Sequence, residues 1–317
     1  MNGTIRDLHG RKEGKPMKYL CVDIGGSSMK YCLMSEKAEI LEKGKTSLKE
    51  VSSVSDMVSV IRRQYEEYGK PEGGIAISYC GELDASTGLL YNGGSYPFMA
   101  SCNLKDILEK ECQTKASVEN DGNCAAIAEL ASGSLKDCRN AFVLIVGTGL
   151  AGAVINDRTL YHGIHNYSGF LSFLAADLSK PFSLNNIAAR ITSANYLCRT
   201  YEQEKGLKNQ IDGELFFKYI DKNDQTAKRI LEQYAQNLAN VIFNVQLLLD
   251  VEKISIGGGV SIQDTFQKEL KKAYAKIYET TPLQYINPPK AELTFCTYHN
   301  DANLIGALIH HMEEMKQ

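Results

Sequence analysis

Apolar residues in this chain recur in two rhythms, short continuous runs of strand length and longer stretches spaced at helical intervals. Tyr19–Ile24 is such a run, turned by Gly25-Gly26 into a second at Tyr31–Met34, and Glu39–Glu42 reads as a third short strand. Val54–Tyr68 carries apolar residues at helical spacing up to the Gly69-Lys70-Pro71 break, and Gly74–Ser78 is a buried strand. The order β-β-β-α-β predicts a mixed sheet with a helix on its face. Residues 81–97, rich in Gly, Ser, Asn and Asp, read as a long loop. Leu104–Cys112 is predicted as a helix, Ala116–Val118 as a short strand, and Asn123–Ser132 as a helix supported by four alanines.

The pattern then repeats. Phe142–Val146 is an apolar strand, Gly147-Thr148-Gly149 a turn, and Ala151–Ile155 the returning strand. Helices are expected over Leu184–Tyr201 and Gly213–Ile220, and a long amphipathic one over Gln225–Leu249 with an apolar stripe from Ile230 to Leu248. Lys253–Ile256 is a strand, followed by Gly257-Gly258-Gly259 and a helix over Ile262–Tyr278. Leu293–Cys296 is the last strand and Asn303–Met315 the closing helix. The class is α/β throughout.

Composition narrows the picture modestly. The 317 residues carry a formal net charge of −3, with basic residues scattered along the chain, which argues against nucleic acid as a partner. Nine cysteines show no C-x-C or C-x-x-C pair and several lie inside apolar runs, the pattern of reduced thiols in a cytoplasmic protein. No run is long enough to span a bilayer. Residues 1–16 read as a disordered polar extension, with Met17 as an alternative start.

Candidate chemistry sits in the turns. Gly25-Gly26, Gly147-Thr148-Gly149 and Gly257-Gly258-Gly259 each follow a buried strand directly. Glycine admits positive φ and close approach, so backbone N–H groups can face phosphate oxygens. A single Gly-Gly turn equally closes ordinary hairpins. Neither a dinucleotide fingerprint nor a P-loop fits, because a strand follows the first turn. Two such hairpins can clamp a triphosphate from opposite sides while the third turn, opening a helix, can take the α-phosphate or the nucleoside end. Asp23, at the end of its strand, is placed to hold a metal ion or its water.

Taken together, Asp23–Lys30, Glu119–Ala126, Val146–Gly152 and Ile256–Val260 resemble the ROK family of repressors, uncharacterised reading frames and sugar kinases. The resemblance runs from about Lys18 to the final helix. It implies an actin/hexokinase-type (ribonuclease H-like) fold of two α/β domains, residues 17–118 plus 301–317 and residues 119–300, with the active site in an interdomain cleft. It further implies an ATP- and Mg2+-dependent carbohydrate kinase acting on a hexose or hexoside at the 6-hydroxyl. Asp121 would be the general base, and the bland alternative is that Asn120 and Asp121 cap the helix that follows. Asn120, Gly81 and Asn92 would contact the sugar. Asp23, Gly25, Gly26, Ser27, Lys30, Gly147, Thr148 and Gly149 would hold phosphates, and Gly257, Gly258 and Gly259 would lie against the adenosine. Asp23 would act on Mg2+ through water. A homodimer is the family habit.

The chain also departs from the family pattern. Where family kinases carry Ala-Gly-Glu-x-Gly-His and then a cysteine-rich zinc loop, this chain has Ser168-Gly169-Phe170-Leu171-Ser172-Phe173, and beyond it only Cys198 and Cys296. The structural zinc is therefore expected to be absent. Zinc-less relatives include β-glucoside kinases. Phe170 is expected to stack on a sugar or aglycone, or else Phe170 and Phe173 fill the core, with the core expected for at least one of them. The rival to a working kinase is a non-catalytic sugar-binding regulator or sensor without a DNA-binding domain.

Overall fold

The computed structural model describes residues 16–208, 210–280 and 287–316. The polar extension over 1–15 lies outside them. The chain divides into two compact units: residues up to Asn120 together with those from Ala307 onward, and Asp121–Gly306.

The first unit is built on β1 (Lys18–Ile24), β2 (Ser28–Ser35), β3 (Ile40–Ser47), α1 (Val54–Glu67), β4 (Ile75–Tyr79), the short pair β5 (Leu83–Asp84) and β6 (Leu89–Leu90), α2 (Leu104–Cys112) and β7 (Ala116–Asn120). Its main sheet has the order β3-β2-β1-β4-β7. The first three strands are antiparallel, and β1, β4 and β7 run parallel. Six of the seven residues of β1 are buried, as a strand covered on both faces requires. Helix α1 begins where Ser53 accepts from Asp56 N, and packs Met57, Val58, Ile61 and Tyr65 inward.

The second unit begins with α3 (Asp121–Ser132) and continues through β8 (Ala141–Val146), β9 (Leu150–Asn156), β10 (Thr159–Tyr161), α4 (Ala189–Thr192), α5 (Ala194–Lys205), α6 (Gly213–Asp221), α7 (Gln225–Leu249), β11 (Lys253–Gly257), α8 (Asp264–Thr280) and β12 (Glu292–Phe295). Helix α9 (Ala302–Glu314) carries the chain back into the first unit. The second sheet has the order β10-β9-β8-β11-β12, again three antiparallel strands followed by two parallel ones. The two units thus repeat one topology. The core of the second is anchored by α7, capped by Asp224 onto Ala227 N and ended by Asp250 in the left-handed region. No helix among the described residues is long and apolar enough to cross a membrane.

Several expected boundaries move. β3 extends to Ser47, kept in register with β2 past an irregularity at Leu33/Met34. Residues 81–97 contain the β5–β6 ladder instead of being wholly loop. Residues 184–188 are not helical, and α4 begins only at Ala189. Gly259–Ile262 forms a 3-10 turn before α8 starts at Asp264, so the third glycine turn does not open that helix directly. α3 begins at Asp121, two residues earlier than the alanine pattern predicts.

Candidate active site

In the first unit, sheet register assembles the charged group. Asp23 lies opposite Lys30 on β2 and opposite Ser78 on β4. Ser78 Oγ donates to Asp23 Oδ1 at 2.9 Å, and Lys30 Nζ stands 3.6 Å from Oδ2. The carboxylate is buried while the Lys30 side chain remains partly exposed. The turn above it closes with Gly25 N donating to Ser28 O at 3.0 Å. Neither Gly25 nor Gly26 adopts positive φ; a Cβ at Gly26 would instead come within 3.1 Å of Ser95 Oγ, so glycine serves here through close approach.

Residues 81–97 lie against this turn. Tyr96 Oη donates to Gly25 O at 2.7 Å, and Tyr79 Oη donates to Gly93 O at 2.9 Å. Asn92 Oδ1 accepts from Gly94 N at 3.0 Å, stapling its own loop. Asn120 Nδ2 donates to Gly81 O at 3.0 Å. Asp23, the first glycine turn, Gly81, Asn92 and Asn120 are thereby joined through one hydrogen-bonded loop.

In the second unit, Asp121 opens α3 with Gly122 N donating to its Oδ1 at 2.8 Å. This fixes the carboxylate at the helix start, where the positive end of the helix dipole favours the anion. Glu129, two turns further along α3 and fully buried, accepts from Thr297 N at 2.7 Å and Tyr298 N at 3.1 Å through Oε1, and from Ser134 N and Oγ through Oε2. It ties the helix that carries Asp121 to the chain beyond β12.

The second and third glycine turns stand side by side, because Ile145 at the end of β8 pairs with Gly257 at the end of β11. Gly258 has φ +93°, and a Cβ there would fall 2.1 Å from Val146 O, so only glycine fits. Gly147 and Gly259 differ. A Cβ at either would meet nothing within 4 Å and neither has positive φ, so the fold leaves open space beside them that it does not itself need. Gly147 is held by its own N–H to Gly149 O at 3.1 Å and by Ala194 N donating to its carbonyl at 2.8 Å.

Behind this turn, Ser172 Oγ accepts from Leu150 N and donates to Leu150 O, both at 2.9 Å. Of the flanking residues, Leu171 enters the core, whereas Phe170 is half-buried and Phe173 is exposed. The core reading of Phe170 and Phe173 is thus corrected: Leu171 takes that position, and the two rings stack on each other outside it.

Comparison with known proteins decides the family, since the ROK family model matches residues 19–313. The chain belongs to the ROK family. It is 27% identical over 300 residues to the β-glucoside kinase of Listeria innocua, covering 94% of this chain and 98% of that protein. It is 28% identical to the β-glucoside kinase of Klebsiella pneumoniae, covering 93% and 96%. Among solved structures, a ROK family protein of Streptococcus pneumoniae in complex with sucrose superposes with a TM-score of 0.84 at 26% identity, covering 95% of this chain and all of that one. The fold is of the actin/hexokinase type, and the likeness places this ROK protein among the family's carbohydrate kinases.

Three contributors escape a reading of the sequence. Ser78 was legible as a lone hydroxyl in the buried run Ile75–Tyr79, and Glu129 as an acid inside an alanine-rich helix. Ser172 left no signal, because its partner is a backbone group 22 residues away. No group of three or more His, Cys, Asp or Glu side chains suited to a metal occurs among the described residues.

Proposed function

We propose that the chain transfers the γ-phosphoryl group of ATP to the 6-hydroxyl of a hexose or hexoside, with Asp121 as general base. The observation that carries this is the open space at Gly147 and Gly259, at the ends of neighbouring parallel strands, where the fold itself would tolerate a side chain. Phosphates take the backbone N–H groups of the two hairpin turns, with Ser27 and Lys30 at the first and Thr148 at the second, and the Gly257–Gly259 turn receives the adenosine. Asn120, Gly81 and Asn92 contact the sugar, together with Phe170. The carboxylate of Asp121, oriented by Gly122 N–H, accepts the hydroxyl proton as the sugar oxygen forms its bond to phosphorus and ADP departs.

The buried Asp23 carboxylate, held by Ser78 and Lys30, would suit Mg2+ bound through water, an ion that gives up its waters reluctantly. When bound there, Mg2+ would supply neutralisation of charge developing on the transferred phosphoryl group. No structural zinc is part of the proposal, and metal analysis of the purified chain is expected to find far less than one zinc per molecule. A cytoplasmic homodimer completes the reading, with light scattering as its check.

The test is ADP release over a panel of monosaccharides, amino sugars and β-glucosides. At least one sugar should be turned over, and Asp121→Asn should lose roughly 10²- to 10⁴-fold in kcat. Full activity in that variant sinks the assignment. The second reading, a sugar sensor without turnover, draws on Phe170 standing where the family motif has glutamate. Calorimetry showing sugar binding with no ATP consumption would favour it.

A further inference from the structure

We propose that Tyr167, Phe170 and Phe173 form a rigid aromatic platform that binds the second ring of a glycoside, either a β-linked pyranose or an aryl aglycone. The inference rests on the sugar-kinase reading and extends it to the part of the acceptor that is not phosphorylated. The three rings are spaced by three residues. Phe170 is the residue just before the 3-10 turn Leu171–Phe173 and Phe173 is its last, and their rings lie parallel within 4° at a centroid distance of 5.9 Å. Tyr167 extends the row, 4.9 Å from Phe170 and tilted by 41°. Such a centroid spacing means offset rings that leave ring surface uncovered, and Tyr167 and Phe173 are 51% and 45% exposed.

This row is fixed instead of floppy. Gly169, at φ +84°, lies so close to β9 that a Cβ would fall 2.1 Å from Gly152 O. Leu171, between the two phenylalanines, is buried in the core. Ser172 bonds both the N–H and the carbonyl of Leu150, the residue directly after the Gly147–Gly149 turn. The platform is therefore anchored at the exit of a phosphate-binding turn, and the acceptor hydroxyl must lie within bonding reach of the phosphoryl group held there. Ordering costs for binding are lowered because the rings are already set. A pyranose presents a C–H face, and an aryl aglycone a π face, and both match uncharged aromatic ledges.

The experiment compares kcat/KM for phenyl β-glucoside and cellobiose with that for methyl β-glucoside, in the full chain and in Phe173→Ala, Tyr167→Ala and Phe173→Tyr. The ratio of large to small glucoside should fall about three- to tenfold in each alanine variant and be restored in Phe173→Tyr. An unchanged ratio overturns the platform, as does an equal loss for all three sugars. If the native chain turns over none of them, the kinase reading fails, and calorimetric Kd ratios for phenyl against methyl β-glucoside still decide the platform. Light scattering closes the remaining case: a change of oligomeric state with no change in ratio assigns these rings to an interface between copies, against the proposal.

Discussion

The two glycine hairpins share one topology and differ in what surrounds the turn. Between the paired residues Ile24 and Met29 the first turn holds four residues, 25 to 28; between Val146 and Leu150 the second holds three, 147 to 149. The first is built around charge: register places Lys30 and Ser78 on either side of Asp23, and Tyr96 and Ser95 crowd the turn from above. No acid stands in the corresponding place in the second. Ile145 occupies the strand position that Asp23 holds in the first, one residue before the strand's last paired member, and the turn is backed by a serine and an open volume. One supersecondary unit thus serves two purposes, a charged post in the first copy and an uncharged cradle in the second.

The largest expected effect removes the charged post. Asp23→Asn keeps a partner for Ser78 Oγ but loses the anion, and kcat should fall by roughly 10²-fold or more, since metal-assisted charge stabilisation supplies several kcal/mol. The Mg2+ concentration for half-maximal rate should rise with it. If activity were retained at ordinary Mg2+, the contrast between the hairpins would have no chemical meaning.

The next prediction sets two glycines of the cradle against each other. A Cβ at Gly147 meets nothing within 4 Å, so the thermal midpoint of Gly147→Ala should stay near that of the parent, while kcat/KM for ATP drops roughly tenfold, about 1.4 kcal/mol, as the methyl enters the space proposed for phosphate. Gly258→Ala should do the opposite first. Its φ of +93° and the Val146 carbonyl 2.1 Å from the added carbon make it destabilising by about 1–3 kcal/mol. Thermal melts and ATP titrations on both variants separate fold from function, and a destabilised Gly147→Ala would show the space to be structural.

The sequence made the frame of this contrast readable and hid its details for physical reasons. Strands buried on both faces wrote themselves as apolar runs, so β1, β4, β8 and β11 were visible, and α7 was placed over Gln225–Leu249 with its stripe. Asp23, Asp121 and the three turns stood out because polar and glycine residues interrupt those runs. Partnerships set by tertiary contact could not be read: Ser78 showed only as a lone hydroxyl in a buried run, with nothing to pair it with Asp23, and the spacing of Ser172 from Leu150 carries no periodicity. Residues 184–188 misled because their apolar residues are placed without a helix: Leu184 is exposed, while Ile187, bridged to Ala175, and Ala188 are buried in a turn. Phe170 and Phe173 misled as well: the 3-10 turn after Phe170 buries Leu171, leaving Phe170 half-buried and Phe173 exposed.

The smallest effect concerns the sheet beneath the first hairpin. His311 on α9 is the one buried histidine among the described residues. Its Nε2–H donates to Gly73 O at 2.8 Å, so Nδ1 accepts from Ser117 Oγ at 3.0 Å, and Tyr19 of β1 packs edge-on against the ring. Burial pushes its pKa below the ordinary 6.5, with the Gly73 carbonyl and Glu314 opposing and His310 and Lys105 adding to the shift. Because the unfolded chain then binds the proton more readily than the folded one, His311 leaves stability intact above pH 6.5 and erodes it as pH falls from 6.5 toward the depressed value. The slope is at most about 1.4 kcal/mol per pH unit. Thermal midpoints between pH 7.5 and 5.5 should therefore fall more steeply for the native chain than for His311→Gln, whose amide can serve the same two partners without titrating. Equal slopes would remove the histidine from the account. They would leave the first hairpin distinguished from the second by Asp23 and its register partners alone.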